Sequence, residues 1–377
     1  MRIGIPKEIK NHEYRVALVP AAVRELVQRG HQVCVQRDAG TAVGLGNDDY
    51  EKAGAAMLDN VEEVFATADM IVKVKEPQPA ERKMLREGQI LFTYLHLAAD
   101  LPQTQDLMES GATCIAYETV TDDQHRLPLL APMSQIAGRL SIQAGASCLE
   151  KSHGGSGILL AGVPGVEPGK VVIIGAGVVG SNAAKIAVGM GAEVVVLDRS
   201  LQVLRGIDQE FGSKVKTVYS SSESLQRFVT DADMVVGGVL IPGAAAPKLV
   251  SKEMIKAMRP GSVVVDVAID QGGCFETSHA TSHADPTYIV DDVVHYCVAN
   301  MPGAVARTST FALTNATLPY VISLADKGAF AAMSANPHLL NGLNVVLGKI
   351  TCKSVAANLN FEYIDSRLAV QGLAKTA

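Results

Sequence analysis

Residues 171–198, VVIIGAGVVGSNAAKIAVGMGAEVVVLD, restrict the fold more than any other stretch of the chain. A β-branched run leads straight into Gly175-x-Gly177-x-x-Gly180, and a Pro-free run of small residues follows before the next Val-rich segment. That order reads as strand, tight turn, helix, strand. The first glycine permits the turn, the second lets the backbone approach a pyrophosphate, and the third lets the helix pack closely on the strand. Amides at the helix start then face the anion, aided by the helix dipole. Asp198 closes the second strand 18 residues beyond Gly180, where a carboxylate accepts the ribose hydroxyls of a dinucleotide. The same carboxylate repels a 2′-phosphate, so NAD is expected over NADP, although Arg199 weakens that preference a little.

The alternation extends to most of the chain. RIGIP, QVCVQ, MIVKVK, ILFTYL and TCIAYE are predicted strands of the first third, with PAAVRELVQRG a helix opened at Pro20 and closed at Gly30. VVIIG, EVVVLD, MVVGGV, SVVVDVA and YCVAN are predicted strands of the middle section, and their continuous Val and Ile runs indicate cover on both faces. The weakly charged SQIAGRLSIQAGASCLEK and TSTFALTNATLPYVISLADKG read as helices that carry the chain into the middle section and back. The expected fold is α/β, with two Rossmann-like doubly wound domains flanking a cleft. One domain is discontinuous (1–130 plus 307–377), and a dinucleotide-binding domain (131–306) is inserted into it.

Bulk properties narrow the function classes. The net charge is −6 with no basic block, which argues against nucleic acid as a partner. The six cysteines are dispersed without a CxxC pair, as expected in a reducing compartment, and suggest neither zinc nor a disulfide framework. MRIGIPKEIK is strand-like and soon charged, unlike a signal peptide. The uncharged stretch from Gly328 to Gly348 is broken by Asn, Pro and His, so it is expected to form buried or subunit-facing helix rather than a membrane span. A cytoplasmic protein is expected.

In doubly wound sheets ligands bind beyond the carboxyl ends of the strands. That rule selects Arg15 in the loop after the first strand, Lys75 after MIVKVK, His96 after ILFTYL and Glu118 after TCIAY. In the middle domain it selects Asp198, Asp270 and Asn300. A histidine ending an apolar run is ordinarily a packed core residue, and Arg15 and Lys75 could be plain surface charges. Their convergence on one edge favours a site, while Glu118 reads as structural. His279 and His283 share i,i+4 spacing but sit among Ser, Thr, Asp and Pro, and no third ligand accompanies them, so no metal is expected. The set suits a small amino or hydroxy acid. Arg15 can bind its carboxylate, Lys75 can polarise an adjacent oxygen, and His96 can move protons near neutrality beside a hydride acceptor.

GIPKEIKNHEYRVALVP, VKVKEPQ, TYLHLA, GAGVVG, DVAIDQGGCFETS and YCVANMPGAVARTSTFALTNATLPY resemble, in order and over nearly the whole chain, the alanine dehydrogenase family. The resemblance implies interconversion of L-alanine with pyruvate and ammonia by NAD, in a cytoplasmic homohexamer. It implies His96 and Asp270 as catalytic acid–base residues and Arg15 and Lys75 as substrate-binding. It also implies cofactor contacts from Ser134, Gly175, Gly177, Val178, Val179, Gly180, Asp198, Ser220, Val239, Leu240, Val267, Ala268, Ile269, Asp270, Val298, Ala299, Asn300 and Met301. Val203 departs from the basic residue expected near the adenosine in some relatives, which bears on cofactor affinity. The NAD-binding α subunit of proton-translocating transhydrogenase is a related alternative that needs no amino-acid pocket. The complete Arg15, Lys75 and His96 set favours the dehydrogenase.

Overall fold

A computed structural model describes residues 1–239 and 246–373. The chain divides into two compact units, one formed by Met1–Pro132 together with the chain from Val305, the other by Met133–Ala304.

The first unit opens with β1 (Arg2–Ile5), β2 (Gln32–Gln36), β3 (Ala56–Leu58), β4 (Met70–Val72), β5 (Ile90–Thr93) and β6 (Thr113–Ala116). The second unit contributes β7 (Lys170–Ile174), β8 (Glu193–Asp198), β9 (Val215–Tyr219), β10 (Met234–Gly237), β11 (Val263–Asp266), β12 (Thr287–Val290) and β13 (Val293–Tyr296). The returning chain adds β14 (Leu343–Val346) and β15 (Lys349–Ile350) to the first sheet.

In the first unit the order is β15-β14-β6-β5-β4-β1-β2-β3, parallel from β3 to β6, with β14 and β15 added antiparallel at one edge. β4, β5 and β6 are buried along their whole length, because helices cover both faces. The helix Pro20–Gln28 turns Ala22, Val23 and Leu26 inward, and Gly30 follows it at φ 85°. Phe65, Ile71, Leu91, Leu107, Cys114 and Val345 share one apolar cluster of this unit.

The second unit orders its strands β12-β13-β11-β10-β7-β8-β9, all parallel except the edge strand β12. Each sheet reverses its strand order once, between β1 and β4 in one unit and between β7 and β10 in the other. Those two reversal points are where such sheets bind ligands. Both long helices lie as read, Ala131–Cys148 and Ala306–Lys327, the latter running through Pro319. No helix among the described residues is long and apolar enough to cross a membrane.

Four readings need correction. YCVAN is strand only at Tyr296, because the segment that pairs with β11 is Val293–Tyr296. MIVKVK is strand only to Val72, because the Val74 N–H goes to the Glu8 carboxylate although the Lys73 N–H still reaches the Phe92 carbonyl. The stretch Gly328–Gly348 is helical only in its first part, Ala329–Ala335 and Pro337–Leu340. Leu343–Val346 is a buried strand, since its β-branched end is satisfied by pairing with β6. Finally, β3, β9 and β12 were not among the strands read from the sequence. They lie at sheet edges and are at most partly buried, so they lack the long Val and Ile runs of the central strands.

Candidate active site

In the first unit the site begins at the reversal point. Glu8, just after β1, sends its carboxylate to the Val74 N–H at 2.7 Å and the Lys75 N–H at 3.4 Å, and takes the Lys73 Nζ at 3.2 Å. Lys73 also reaches Glu81 at 2.7 Å, and all three charged side chains are essentially buried. Burial alone would lower the Lys73 ammonium, but the two carboxylates outweigh it and hold it above its ordinary value. The loop after β4 is thereby tied to the loop after β1, and Thr93 Oγ1 of β5 donates to the Lys75 carbonyl at 2.9 Å. Lys75 itself is half-buried, and Lys10 pairs with the neighbouring Glu76.

Arg15 is 2% exposed, so it is no surface charge. Glu13 takes its Nε at 2.6 Å and its Nη2 at 2.5 Å, a bidentate clasp that fixes the plane of the guanidinium. Burial acts against both charges, yet their hydrogen bonds and mutual attraction win, with Arg15 held above and Glu13 below its ordinary value. Lys75 adds to the depression of Glu13, and Arg15 acts on the buried Tyr94, so these side chains share one electrostatic neighbourhood.

His96 stands three residues past β5. Tyr94 and Leu95 before it are buried, while the imidazole is 49% exposed and stacked parallel to the Tyr94 ring at 5.8 Å between centroids. It is therefore not a core histidine. Its backbone is left-handed, at φ 52°. Glu118 supports it, accepting the His96 N–H at 2.6 Å, and so the residue read as structural lies against the candidate base.

In the second unit Gly175 has φ 91°, and a Cβ there would press on Gly238 and Val239. A Cβ on Gly180 would overlap the Gly175 carbonyl, which is the close helix–strand approach the motif requires. Gly177 faces open space, leaving a cradle at the start of the helix Val178–Gly189 beside the exposed Val178 and the buried Val179. Asp198 accepts the Ala176 N–H and the Ser200 N–H, each at 2.7 Å, so its carboxylate is aimed by the glycine turn itself. The Ser220 N–H donates to the Asp198 carbonyl at 3.0 Å. Ser134 lies one turn before Gly138 on the helix Ala131–Cys148, and Gly138 passes close to the Val179 carbonyl. Gly138 has no signal in sequence, because a helical glycine declares no partner. Leu240 lies outside the described residues.

Asp270 is exposed on the turn Val267–Gln271, where Ile269 is buried and Val267 and Ala268 are half-buried. Asp266 caps that turn, accepting the Ala268 N–H at 3.2 Å and the Cys274 N–H at 2.9 Å. Burial pushes the Asp266 carboxyl above the usual range despite those donors. Val298 and Met301 are buried, and Ala299 and Asn300 half-buried, in the segment after β13. His283 Nε2 lies 3.1 Å from the Asn300 carbonyl, and His279 stacks on Tyr288 at 3.6 Å, so each has a bracing role.

Two doubly wound units, one carrying a dinucleotide fingerprint and the other a basic and imidazole cluster at its reversal point, define a Rossmann-type α/β protein of the dehydrogenase class. Family models for the alanine dehydrogenase/PNT N-terminal domain and C-terminal domain match residues 4–137 and 141–353. The chain is 58% identical to an alanine dehydrogenase of Halomonas elongata over 366 residues, covering 97% of this chain and 99% of that one. A solved L-alanine dehydrogenase superposes with a TM-score of 0.93 at 51% identity, covering 96% of this chain and 99% of its own. A transhydrogenase from Sinorhizobium meliloti shares the fold, with a TM-score of 0.82 at 24% identity over 93% of this chain and 100% of its own. The chain belongs to the alanine dehydrogenase/PNT family.

Proposed function

We propose that this chain catalyses the NAD-dependent, reversible oxidative deamination of L-alanine to pyruvate and ammonia, as a homohexamer in the cytoplasm. The observation that carries the reading is the clasped Arg15 beside Lys75 at the first unit's reversal point, with His96 on the neighbouring strand end. The open cradle at Gly177 and the aimed Asp198 carboxylate fit a dinucleotide, and the negative charge of Asp198 favours a free 2′-hydroxyl. The other cofactor-contact residues are Ser134, Gly175, Val178, Val179, Gly180, Ser220, Val239, Leu240, Val267 to Asp270 and Val298 to Met301.

Bound NAD supplies the hydride acceptor for the Cα of alanine. Arg15 binds the substrate carboxylate, and Glu13 fixes the orientation of the guanidinium for that task. Lys75 holds the adjacent oxygen and stabilises negative charge there as the carbonyl forms. His96 takes a proton from the water that adds to the imine carbon, then returns one to the departing ammonia. Asp270 holds the ammonium and the attacking water. The net change balances as alanine, water and NAD giving pyruvate, ammonium, NADH and one proton.

The test is alanine-dependent NADH formation by the purified protein, with His96→Ala as its partner. Removing the base should lower kcat by about 10²–10⁴-fold at near-native melting temperature. Wild-type-like turnover in a destabilised variant would overturn the assignment of His96. A wild-type protein that oxidises no alanine would favour the transhydrogenase-like reading instead.

A further inference from the structure

The backbone of His96 is left-handed, at φ 52° and ψ 38°, a conformation that residues with a Cβ avoid. Two side chains hold it there. Glu118, in the turn Tyr117–Thr119 after β6, accepts the His96 N–H at 2.6 Å and the Leu95 N–H at 3.2 Å. Gln103, on the helix Leu101–Ser110, donates its Nε2 to the Leu95 carbonyl at 2.6 Å. The peptide unit joining Leu95 to His96 is thus gripped at its N–H by one element and at its carbonyl by another. Gln103 is fully buried with its Oε1 unpartnered, so its placement is justified by that one donor. The same Glu118 carboxylate stands 3.9 Å from His96 Nδ1 and is itself only 15% exposed.

We infer that Glu118 is the positioning residue of His96, setting through the Leu95–His96 peptide where the imidazole points. This rests on the reading of His96 as the acid–base.

The experiment compares Glu118→Ala and Glu118→Gln in the full-length protein, with alanine and NAD as substrates. Glu118→Ala releases the peptide and should lower kcat on the order of 10–100-fold, with the KM for alanine and the Kd for NADH near wild type. Glu118→Gln keeps one oxygen for the His96 N–H. It should recover most of that kcat, with the KM for alanine unchanged. Wild-type turnover in Glu118→Ala would overturn the inference. So would equal losses of melting temperature, NADH binding and turnover in both variants, which would assign Glu118 to folding alone. An active wild type with an inert His96→Ala secures the underlying reading. A wild type inactive on alanine removes that reading and this inference together.

Discussion

Asp198 shows how much a single side chain decides. Its two oxygens take N–H donors from Ala176 and Ser200, so the charge proposed to meet the ribose is fixed by the turn proposed to meet the pyrophosphate. Wild-type protein should have the higher kcat/KM with NAD, and Asp198→Ala should narrow the gap to NADP; equal use of both cofactors by the wild type would contradict this. Arg15 makes a second case. Arg15→Lys keeps the charge but replaces a planar fork with a point charge, so alanine turnover should fall while NADH binding persists. Its partner Glu13 predicts a pH effect. Glu13 has a folded pKa below its unfolded value near ~4.3, so its stabilising contribution is present above that pH and is lost as pH falls through the folded value. Melting temperature measured from pH 7 to 3 should therefore drop less steeply below about pH 4 in Glu13→Gln than in wild type. An unchanged slope would show that the clasp contributes nothing to acid stability.

The side chains proposed as catalytic in the two units each lie just past a strand beside a carboxylate that accepts backbone N–H groups, Glu118 at His96 and Asp266 at the turn of Asp270. Asp266, the last residue of β11, caps the turn that carries Asp270. Asp266→Ala would leave the Ala268 and Cys274 N–H groups without that acceptor, at a cost of roughly 1–3 kcal/mol. Turnover should fall more than the melting temperature does, because Asp270 loses its register; Asp266→Asn should restore part of both. The strands beneath these turns do a different job. Leu91 on β5 is fully buried in an apolar cluster with Ile71 and Cys114, and Leu91→Ala should cost about 2–5 kcal/mol in urea unfolding. Its NAD preference should not change, since Leu91 touches only the core.

At the scale of the whole molecule, both units use one topology, a mostly parallel sheet whose strand order reverses once. Loops at that reversal are free to carry function because the strands beneath supply the stability. The proposed hexamer predicts a mass several-fold above 39.7 kDa by light scattering at micromolar concentration, and a monomeric mass would refute it. The C-terminal surface first credited with that assembly is partly interior, since Leu343–Val346 is committed to the first sheet.

Periodicity and glycine spacing determine the two doubly wound sheets, the dinucleotide turn and the edge on which Arg15, Lys75 and His96 lie, because each is a local pattern that recurs at a fixed interval. Glu118 read as structural from sequence since its partners are backbone N–H groups 22 and 23 residues away, and no spacing rule links a carboxylate to a distant peptide. The burial of Arg15, the Glu13 clasp, the Gln103 grip and the Asp266 cap belong to the same class. Each exists only after the chain has folded, when desolvation makes a hydrogen bond to a charged group strong and an unpaired one costly. The edge strands β3, β9 and β12 share this dependence, since each is paired on one side only, by its neighbouring strand.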